Sequence, residues 1–258
     1  MPDVLLVGCG KMGGALAQRW QEQKICRQLV IVEPASAQIK SFKDIPAGFR
    51  PQVVVFAVKP QTLAETAAEY KVYADAGALI VSIAAGKPVA FFEKHLGAAA
   101  KIIRSMPNTP AAIGQGITVM YANKNVSADE KKQAATLLGA VGEVLWVEKE
   151  SLLDPVTALS GSGPAYVFLL IETLTKAGIH TGLDPALAEK LARQTVIGSA
   201  ALAAESAGIP AANLRENVTS KGGTTEAALA VLMAAPGIQA LFDRALEAAT
   251  KRAEELSG

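Results

Sequence analysis

VLLVGCGKMGGALAQRW, from Val4 to Trp20, decides the fold, because a short apolar run ends in closely spaced glycines and a stretch with helical spacing follows. A run that is apolar on both faces predicts a strand buried in a parallel sheet. Its glycines have the G-x-G-x-x-G spacing between a strand and a helix, the context in which this motif indicates a dinucleotide site. An ordinary strand–turn–helix with glycines for geometry is the alternative.

Each glycine of GCGKMG has a predicted part in that site. Gly8 permits the tight turn, Gly10 lets the backbone approach a pyrophosphate, and Gly13 allows the helix to pack closely on the strand. Amide N–H groups at the start of the helix then face the phosphates. The predicted cofactor contacts in this segment are Gly8, Gly10, Lys11, Met12 and Gly13.

The pattern of the opening segment recurs through the first half of the chain. Apolar runs at Leu29–Glu33, Val53–Val58, Ala78–Ala84 and Lys101–Met106 alternate with stretches of helical spacing. This βαβ alternation predicts an α/β fold with a Rossmann-type doubly wound sheet. We expect this dinucleotide-binding domain to cover residues 1–151.

The character of the sequence changes after Leu152. Long stretches rich in alanine and leucine predict helices that are apolar over wide faces, with little strand between them. About 100 residues form only a thin core by themselves, so we expect these helices to pack against a second copy of the chain. The sequence predicts an all-helical domain over residues 152–258 that forms a homodimer, or a higher assembly of dimers.

Composition argues against several classes of function. A formal net charge of +1 without a basic run argues against nucleic-acid binding. The apolar runs are far shorter than the roughly 20 residues of a membrane span, and the first residues lack a signal-peptide pattern. Two cysteines and two histidines form no metal or triad spacing. We expect a cytoplasmic protein without a metal, whose chemistry relies on a cofactor and hydrogen-bond donors.

Other strand ends supply further predicted cofactor contacts. Glu33 ends the second strand at the position where a carboxylate accepts hydrogen bonds from the adenosine ribose. This carboxylate would repel a 2′-phosphate, and Pro34–Ser36 contain no arginine, so the sequence favours NADH over NADPH. The alternative for Glu33 is a solvated carboxylate at the end of a strand. The alternative for Lys59, which follows the third strand, is an ordinary surface lysine. The contacts predicted after the third and fourth strands are Ala57, Val58, Lys59, Pro60, Ala84 and Ala85.

Three further turns are candidates for substrate binding. Prolines stiffen the loop around Met106 and Asn108, which we take as substrate contacts. Ser162, also a candidate contact, lies where the first long helix opens, with Ser162 or Gly163 as the expected N-cap. The third turn, SKGGTT at Ser220–Thr225, resembles an anion receptor, because its two glycines let N–H groups converge before a helix N-terminus. An unusually rich N-cap is the alternative.

Six segments together resemble the Δ1-pyrroline-5-carboxylate reductase family. They are GCGKMG, FAVKPQ, VSIAAG, RSMPNTPA, LSGSGPAY and VTSKGGTTEAAL, and they occur in this order over essentially the whole chain. The resemblance implies a reductase of a cyclic imine with a Rossmann domain and a helical dimerisation domain. It also implies an active site between the two domains and across the dimer interface.

By position, the resemblance also implies roles for the SKGGTT turn. Thr225 matches the threonine that hydrogen-bonds the ring nitrogen, and a threonine hydroxyl can donate to an imine or accept from an iminium proton. We take Thr225 and Ser220 as the candidate catalytic residues. Lys221 stands where many members have proline, and its role stays open. The residues that match the family's carboxylate receptor are Ser220, Gly222, Gly223 and Thr224.

Two other interpretations fit parts of the sequence. β-Hydroxyacid dehydrogenases resemble one another in placing a lysine just after the glycine-rich start of the first long helix, where this chain has none before Lys176. A non-catalytic NAD-binding protein would be expected to lose the SKGGTT or SGSGPAY turn, and both are intact. The prediction is therefore hydride transfer from NADPH or NADH to the C=N bond of L-1-pyrroline-5-carboxylate, giving L-proline.

Overall fold

The computed structural model describes residues 1–35 and 39–257. Ser36, the last residue of the arginine-free segment after Glu33, and Gly258 therefore lie outside the described residues. The chain forms two compact units: unit 1 is Met1–Ser162 with Ala248–Gly258, and unit 2 is Gly163–Glu247. The predicted domain boundary after residue 151 lies before this division and stays a prediction.

Within the described residues, unit 1 contains a seven-stranded sheet in the order β2-β1-β3-β4-β5-β6-β7. Neighbouring strands are parallel except β5 and β6, which are antiparallel. The predicted Rossmann-type α/β fold is confirmed. The strands are β1 Asp3–Val7, β2 Gln28–Val32, β3 Val53–Phe56, β4 Leu79–Ser82, β5 Lys101–Met106, β6 Gly116–Ala122 and β7 Gly142–Trp146.

Helices flank the sheet and make up the described residues of unit 2, which confirms the predicted helical region. The helices that precede unit 2 are α1 Lys11–Glu22, α2 Pro60–Thr66, α3 Lys71–Asp75, α4 Val89–Leu96, α5 Ala128–Gly139 and α6 Leu153–Val156. The later helices are α7 Gly163–His180, α8 Pro185–Glu205, α9 Ala211–Asn217, α10 Thr224–Leu232 and α11 Ile238–Ser257, of which α11 begins in unit 2 and ends in unit 1.

The alternation of side chains along each strand divides the interior of unit 1 into two cores. Along β1, Leu5 and Val7 belong to the first core, whereas Val4 and Leu6 belong to the second. The first core packs against α2, α3 and α4, and the second against α1 and α5. Because both faces are covered, the central strands are continuous apolar runs, as the sequence indicated.

The sequence analysis missed β6 and β7. In β7, half-buried residues alternate with exposed ones, so this edge strand lacks the continuous apolar run that identifies the central strands. Both strands begin at a glycine, and a Cβ on Gly142 would lie 1.9 Å from the carbonyl oxygen of Gly116. The two glycines therefore permit a backbone contact that the sequence pattern did not indicate.

Unit 2 has almost no interior of its own. Among its described residues only Ala188 and Ala192, both on α8, are buried. Large apolar side chains along its helices are exposed, Phe168 by 65% and Val231 by 75%. An apolar surface of this extent marks a protein interface. Among the described residues, no helix is both long and apolar enough to cross a membrane.

Replacing Trp20 tests the second core. The residue is 1% exposed, and its Nε1–H donates to the carbonyl oxygen of Leu137 on α5 at 2.7 Å. Trp20→Phe removes this donor and part of the buried ring, so we expect the free energy of unfolding to fall by about 2–4 kcal/mol. Urea unfolding at one fixed protein concentration, followed by circular dichroism, measures the change.

Trp146→Phe is the matched control. Trp146 is half-buried in the edge strand, and the Lys131 Nζ lies 5.4 Å from its ring centroid. We expect this variant to lose less than about 1 kcal/mol. Equal losses in the two variants would contradict a special contribution of the Trp20 hydrogen bond and packing.

Candidate active site

The glycine-rich loop between β1 and α1 is shaped by close backbone contacts. Gly8 has φ +95°, and a Cβ on it would lie 2.8 Å from the carbonyl oxygen of Ala57. A Cβ on Gly13 would lie 2.4 Å from the carbonyl oxygen of Gly8. Within the described residues, nothing lies within 4 Å of a Cβ built on Gly10. The first and third glycines are therefore needed for packing, whereas Gly10 leaves room for a ligand.

The start of α1 is suited to an anion. Gly10 is the N-cap of α1 and has no side chain, so the amide hydrogens of the first turn remain for a phosphate. Lys11 is exposed and can meet a ligand, whereas Met12 packs against the second core. The open space at Gly10 and these uncapped amides fit the pyrophosphate of a dinucleotide. The cofactor roles of the individual residues stay predictions.

The predicted cofactor contacts gather at one edge of the sheet. The strand β1 lies between β2 and β3, so the order of the strands reverses at β1. Open α/β sheets bind their ligands at the carboxyl ends of the strands next to such a reversal. The residues that directly follow the first four strands are Gly8, Glu33, Ala57 and Ile83, and Ala84 comes after Ile83. Gly8 also packs against Val58, which joins the first and third loops.

Glu33 is hydrogen-bonded to the glycine-rich loop. Its Oε2 accepts from the Cys9 N–H at 2.7 Å, and its Oε1 accepts from the Ala35 N–H at 3.3 Å. The carboxylate therefore lies at the loop, where an acid that binds ribose is expected. Burial, and then the charge of Glu33, raise the pKa of the Cys9 thiol. Cys9 is consequently protonated at neutral pH and is no candidate nucleophile.

The loops after β3 and β4 expose some predicted contacts and bury others. Lys59 is exposed at the N-cap of α2, which begins at the half-buried Pro60. Ala85 is exposed, whereas Ala84 is buried and its N–H donates to Ser82 Oγ at 3.2 Å. Lys59 and Ala85 can therefore touch a ligand with their side chains, while the Ala84 methyl group packs inside the protein.

Met106 lies beside the turn that precedes Ser162. Its Cε would be 2.4 Å from a Cβ on Gly161, so the Met106 side chain packs directly against this glycine. Gly161 ends a π-helical turn, Thr157–Gly161, and the Ser162 N–H donates to the Thr157 carbonyl oxygen at 2.9 Å. Unit 1 thus brings together two predicted substrate contacts that are far apart in sequence.

The first long helix begins within SGSGPAY, as expected, but the expected N-cap and the expected first helical residue, Pro164, are wrong. The helix α7 begins at Gly163, so Gly163 is not an N-cap, and Ser162 already has helical φ and ψ of −84° and −20°. Pro164 has no N–H to donate to the Ser160 carbonyl, and the turn just before it is π-helical rather than α-helical. Such turns occur frequently at functional sites, and the substrate role of Ser162 stays a prediction.

Asn108 is held by a strand that the sequence did not predict. Its Oδ1 accepts a hydrogen bond from the N–H of Ile117, in β6, at 2.9 Å. The prolines of the loop are therefore not its only restraint. Within the described residues its side-chain nitrogen has no partner, which leaves this group free to donate to a ligand.

In unit 2, the segment Ser220–Thr225 forms a tight turn before α10. Gly222 has φ +73°, and a Cβ on Gly223 would lie 2.5 Å from Ser220 Oγ. Gly223 itself is the N-cap of α10, and no side chain caps this helix. The alternative of a rich N-cap therefore finds no support, because neither threonine nor serine caps the helix.

The two glycine amides of this turn are not free, contrary to the expectation. The Gly222 N–H donates to Glu226 Oε2 at 2.7 Å, and the Gly223 N–H donates to the Ser220 carbonyl oxygen at 3.0 Å. Within the described residues, the amides of Thr224, Thr225 and Glu226, in the first turn of α10, have no acceptor, and neither do those of Ser220 and Lys221 before it. The glycines shape the turn, and the next three residues offer the amides.

Glu226 is a residue of this turn that the sequence analysis missed. It lies at the third position of α10, where a glutamate commonly reaches back to amides at the start of its helix. That spacing was the signal that could have identified it. The substrate roles of Ser220, Gly222, Gly223, Thr224 and Thr225 stay predictions.

Comparisons with known proteins establish the family. The sequence model for pyrroline-5-carboxylate reductase dimerisation matches residues 150–256, and that for NADP oxidoreductase coenzyme F420-dependent matches residues 3–86. A pyrroline-5-carboxylate reductase of Pseudomonas aeruginosa is 40% identical, over 99% of this chain and 97% of its own length. The chain belongs to the pyrroline-5-carboxylate reductase family.

Solved structures of pyrroline-5-carboxylate reductases share the fold. The protein from Coxiella burnetii is 34% identical, with a TM-score of 0.91 over 100% of this chain and 99% of its own. The protein from Plasmodium falciparum, solved with NADP bound, is 30% identical, with a TM-score of 0.85 over 100% and 98%. The resemblance drawn from six segments is confirmed, and a nicotinamide cofactor is supported.

Two adjacent glycines allow a matched test of the nucleotide site of this member of the pyrroline-5-carboxylate reductase family. Gly13→Ala forces a Cβ against the Gly8 carbonyl oxygen and must displace the loop. We expect the KM for the nicotinamide coenzyme to rise by about tenfold or more, since positioning errors of this size weaken binding strongly. Steady-state kinetics at saturating imine substrate measure the change.

Gly14→Ala is the control. A Cβ there would lie 3.7 Å from the Cys9 carbonyl oxygen, an ordinary contact, and alanine favours the helix. We expect an unchanged KM and a free energy of unfolding that is equal or higher by up to about 1 kcal/mol. Similar kinetics for both variants would count against the role of the Gly8–Gly13 contact.

Proposed function

We propose that this chain transfers a hydride from NAD(P)H to the C=N bond of L-1-pyrroline-5-carboxylate and so produces L-proline, the final step of proline biosynthesis. The observation that carries the proposal is the full-length identity of 40% with the Pseudomonas aeruginosa pyrroline-5-carboxylate reductase. The two turns described above support it, because one suits a dinucleotide and the other suits a carboxylate.

The turn before α10 is proposed to bind the substrate carboxylate. The amides of Thr224, Thr225 and Glu226 are free and lie at the positive end of a helix. The Glu226 carboxylate accepts a hydrogen bond from the Gly222 N–H. The turn is therefore formed before the substrate arrives. Preorganised donors of this kind lower the barrier without reorganising during the reaction. Ser220 is exposed and adds a hydroxyl to the same turn.

Thr225 is proposed to hydrogen-bond the ring nitrogen. A nicotinamide coenzyme, when bound, would supply a hydride to C5, and the π electrons of the C=N bond would become the nitrogen lone pair. A protonated imine is already a good hydride acceptor, so the reaction needs orientation more than a strong protein acid. A threonine hydroxyl can accept from the iminium proton and orient the ring through it.

NADH is the proposed coenzyme in preference to NADPH. Glu33 directs its carboxylate to the glycine-rich loop, 2.7 Å from the Cys9 nitrogen, where a 2′-phosphate would meet like charge. The Plasmodium falciparum protein was solved with NADP bound, so at least one relative binds the phosphorylated coenzyme. The proposal is tested by following nicotinamide oxidation with pyrroline-5-carboxylate, separately with NADH and NADPH.

A homodimer, or a higher assembly of dimers, is the proposed form of the enzyme. The matched dimerisation region covers residues 150–256, and unit 2 within it has two buried residues. Exposed apolar helix faces of this extent need a partner, and a second copy of the chain supplies the same surfaces. We also propose a cytoplasmic location, as expected from the sequence.

Thr225→Ala tests the catalytic proposal. We expect kcat to fall by about 10- to 100-fold, as for the loss of one orienting hydrogen bond, while the affinity for the coenzyme stays within about twofold. Thr225→Ser keeps the hydroxyl and should recover most of kcat. Stopped-flow coenzyme binding and steady-state kinetics measure the two effects, and equal losses in both, or none, would refute the role of Thr225.

Phe168→Glu tests the dimer. This side chain is 65% exposed on α7 in the single chain, and a charge buried in an interface without a partner strongly opposes association. We expect a shift from dimer to monomer in multi-angle light scattering. Val72→Glu is the control, because Val72 is 55% exposed in unit 1 and should leave the mass unchanged. An unshifted mass for Phe168→Glu would contradict an interface at this face.

A further inference from the structure

A buried arginine in unit 1 joins separate segments of the chain. Arg104 lies in β5 and is 4% exposed. Its Nη1 donates to Glu150 Oε1 at 3.1 Å, and its Nη2 donates to Asp154 Oδ1 at 3.4 Å and to Ser257 Oγ at 3.3 Å. The Ser257 hydroxyl in turn donates to Asp154 Oδ1 at 3.2 Å. We name these four residues the Arg104 cluster.

The Arg104 cluster holds the loop between β4 and α4 at its far end. The same Glu150 Oε1 that accepts from Arg104 also accepts from the N–H of Val89 at 2.8 Å. Val89 is the first residue of α4, so this bond fixes the point at which the loop 83–88 becomes helix. One carboxylate oxygen thus connects the arginine to the loop.

The end of α11 holds the middle of the same loop. Gly86 has φ +70°, and a Cβ on it would lie 2.9 Å from the carbonyl oxygen of Leu256. Leu256 is followed by Ser257, which is bound to Arg104 and Asp154. The loop therefore lies between two segments, and both are attached to the same guanidinium group.

Burial excludes a direct role for Arg104 with a ligand. Its charge is removed from water, and the two carboxylates and the hydroxyl compensate for this. Buried ion pairs of this kind contribute little net stability compared with apolar packing, so stability alone is a weak reason for one. What the cluster does specifically is to fix the relative positions of the segments that it joins.

We infer that Arg104, acting through Glu150 and Ser257, is a positioning residue that holds the loop 83–88 against the nicotinamide coenzyme. The inference rests on the prediction that the loop at Ala84 and Ala85 contacts the coenzyme. Breaking the cluster loosens the loop without removing any group that touches the reacting atoms. Coenzyme binding therefore weakens, while the bound coenzyme reacts at nearly the same rate.

The test is a comparison of KM and kcat in full-length variants. Arg104→Met should raise the KM for NADH by about tenfold, the size of one lost charge-assisted hydrogen bond, with kcat at saturating NADH within about twofold. Arg104→Lys keeps the charge and should recover part of the affinity. Ser257→Ala removes a single member of the cluster and should raise the KM by about threefold, which decides the question if Arg104→Met does not fold.

Arg252→Met is the matched control. Arg252 lies on the same helix and pairs with Glu255 at 2.7 Å on the exposed surface, so the KM should not change. A KM equal to that of the unmodified enzyme in Ser257→Ala and in any folded Arg104→Met overturns the inference. A fall in kcat or melting temperature alone, without a rise in KM, overturns it as well.

Ala85→Asp separates this inference from the proposal on which it rests. Ala85 is exposed in the loop, and a carboxylate there would repel the coenzyme phosphates. If Ala85→Asp raises the KM for NADH and the cluster variants do not, only the positioning inference fails. If Ala85→Asp leaves the KM unchanged, the loop does not contact the coenzyme. The predicted coenzyme contact and the positioning inference then both fail.

Discussion

The close contact of backbone with backbone at the end of β1 is the constraint on which the nucleotide site depends. Gly13 lies so near the Gly8 carbonyl oxygen that a Cβ would be 2.4 Å away, and a Cβ on Gly8 would be 2.8 Å from the Ala57 carbonyl oxygen. These contacts bring the start of α1 close to the carboxyl end of β1, and Gly10, which has no side chain, leaves its first amides uncapped. Without them the carboxyl ends of the strands would still align, but no helix start would face the ligand.

Both candidate anion sites contain a carboxylate of the chain itself. Glu33 accepts from the Cys9 N–H, and Glu226 accepts from the Gly222 N–H, each at 2.7 Å. Each bond fixes a glycine-containing turn before a ligand is present, which lowers the cost of ordering it. Each also places negative charge beside a site for an anion. The ligand must therefore direct its own charge to the neighbouring free amides.

Much of the fold was predictable, because strands buried on both faces and wide apolar helices have strong patterns. The five parallel strands and the helical second half follow directly from them. β7 was not predicted because its residues alternate as in an edge strand, and the π-helical turn before Ser162 was not predicted because the glycines and Pro164 indicated an N-cap there instead. The candidate site residues were found by motif, whereas Glu226 was missed although its position in the first turn of α10 was a signal for it; the structure adds which amide it occupies, that of Gly222.

The two buried alanines of unit 2 have a consequence for handling the protein. In the proposed dimer, a helical unit with so little interior would gain its stability when two chains meet, so folding of unit 2 and association would become one equilibrium governed by mass action. Dilution would then unfold unit 2. The specific activity would depend on the stock concentration as well as on the sequence, and dilute assays would contain fewer active molecules than were added.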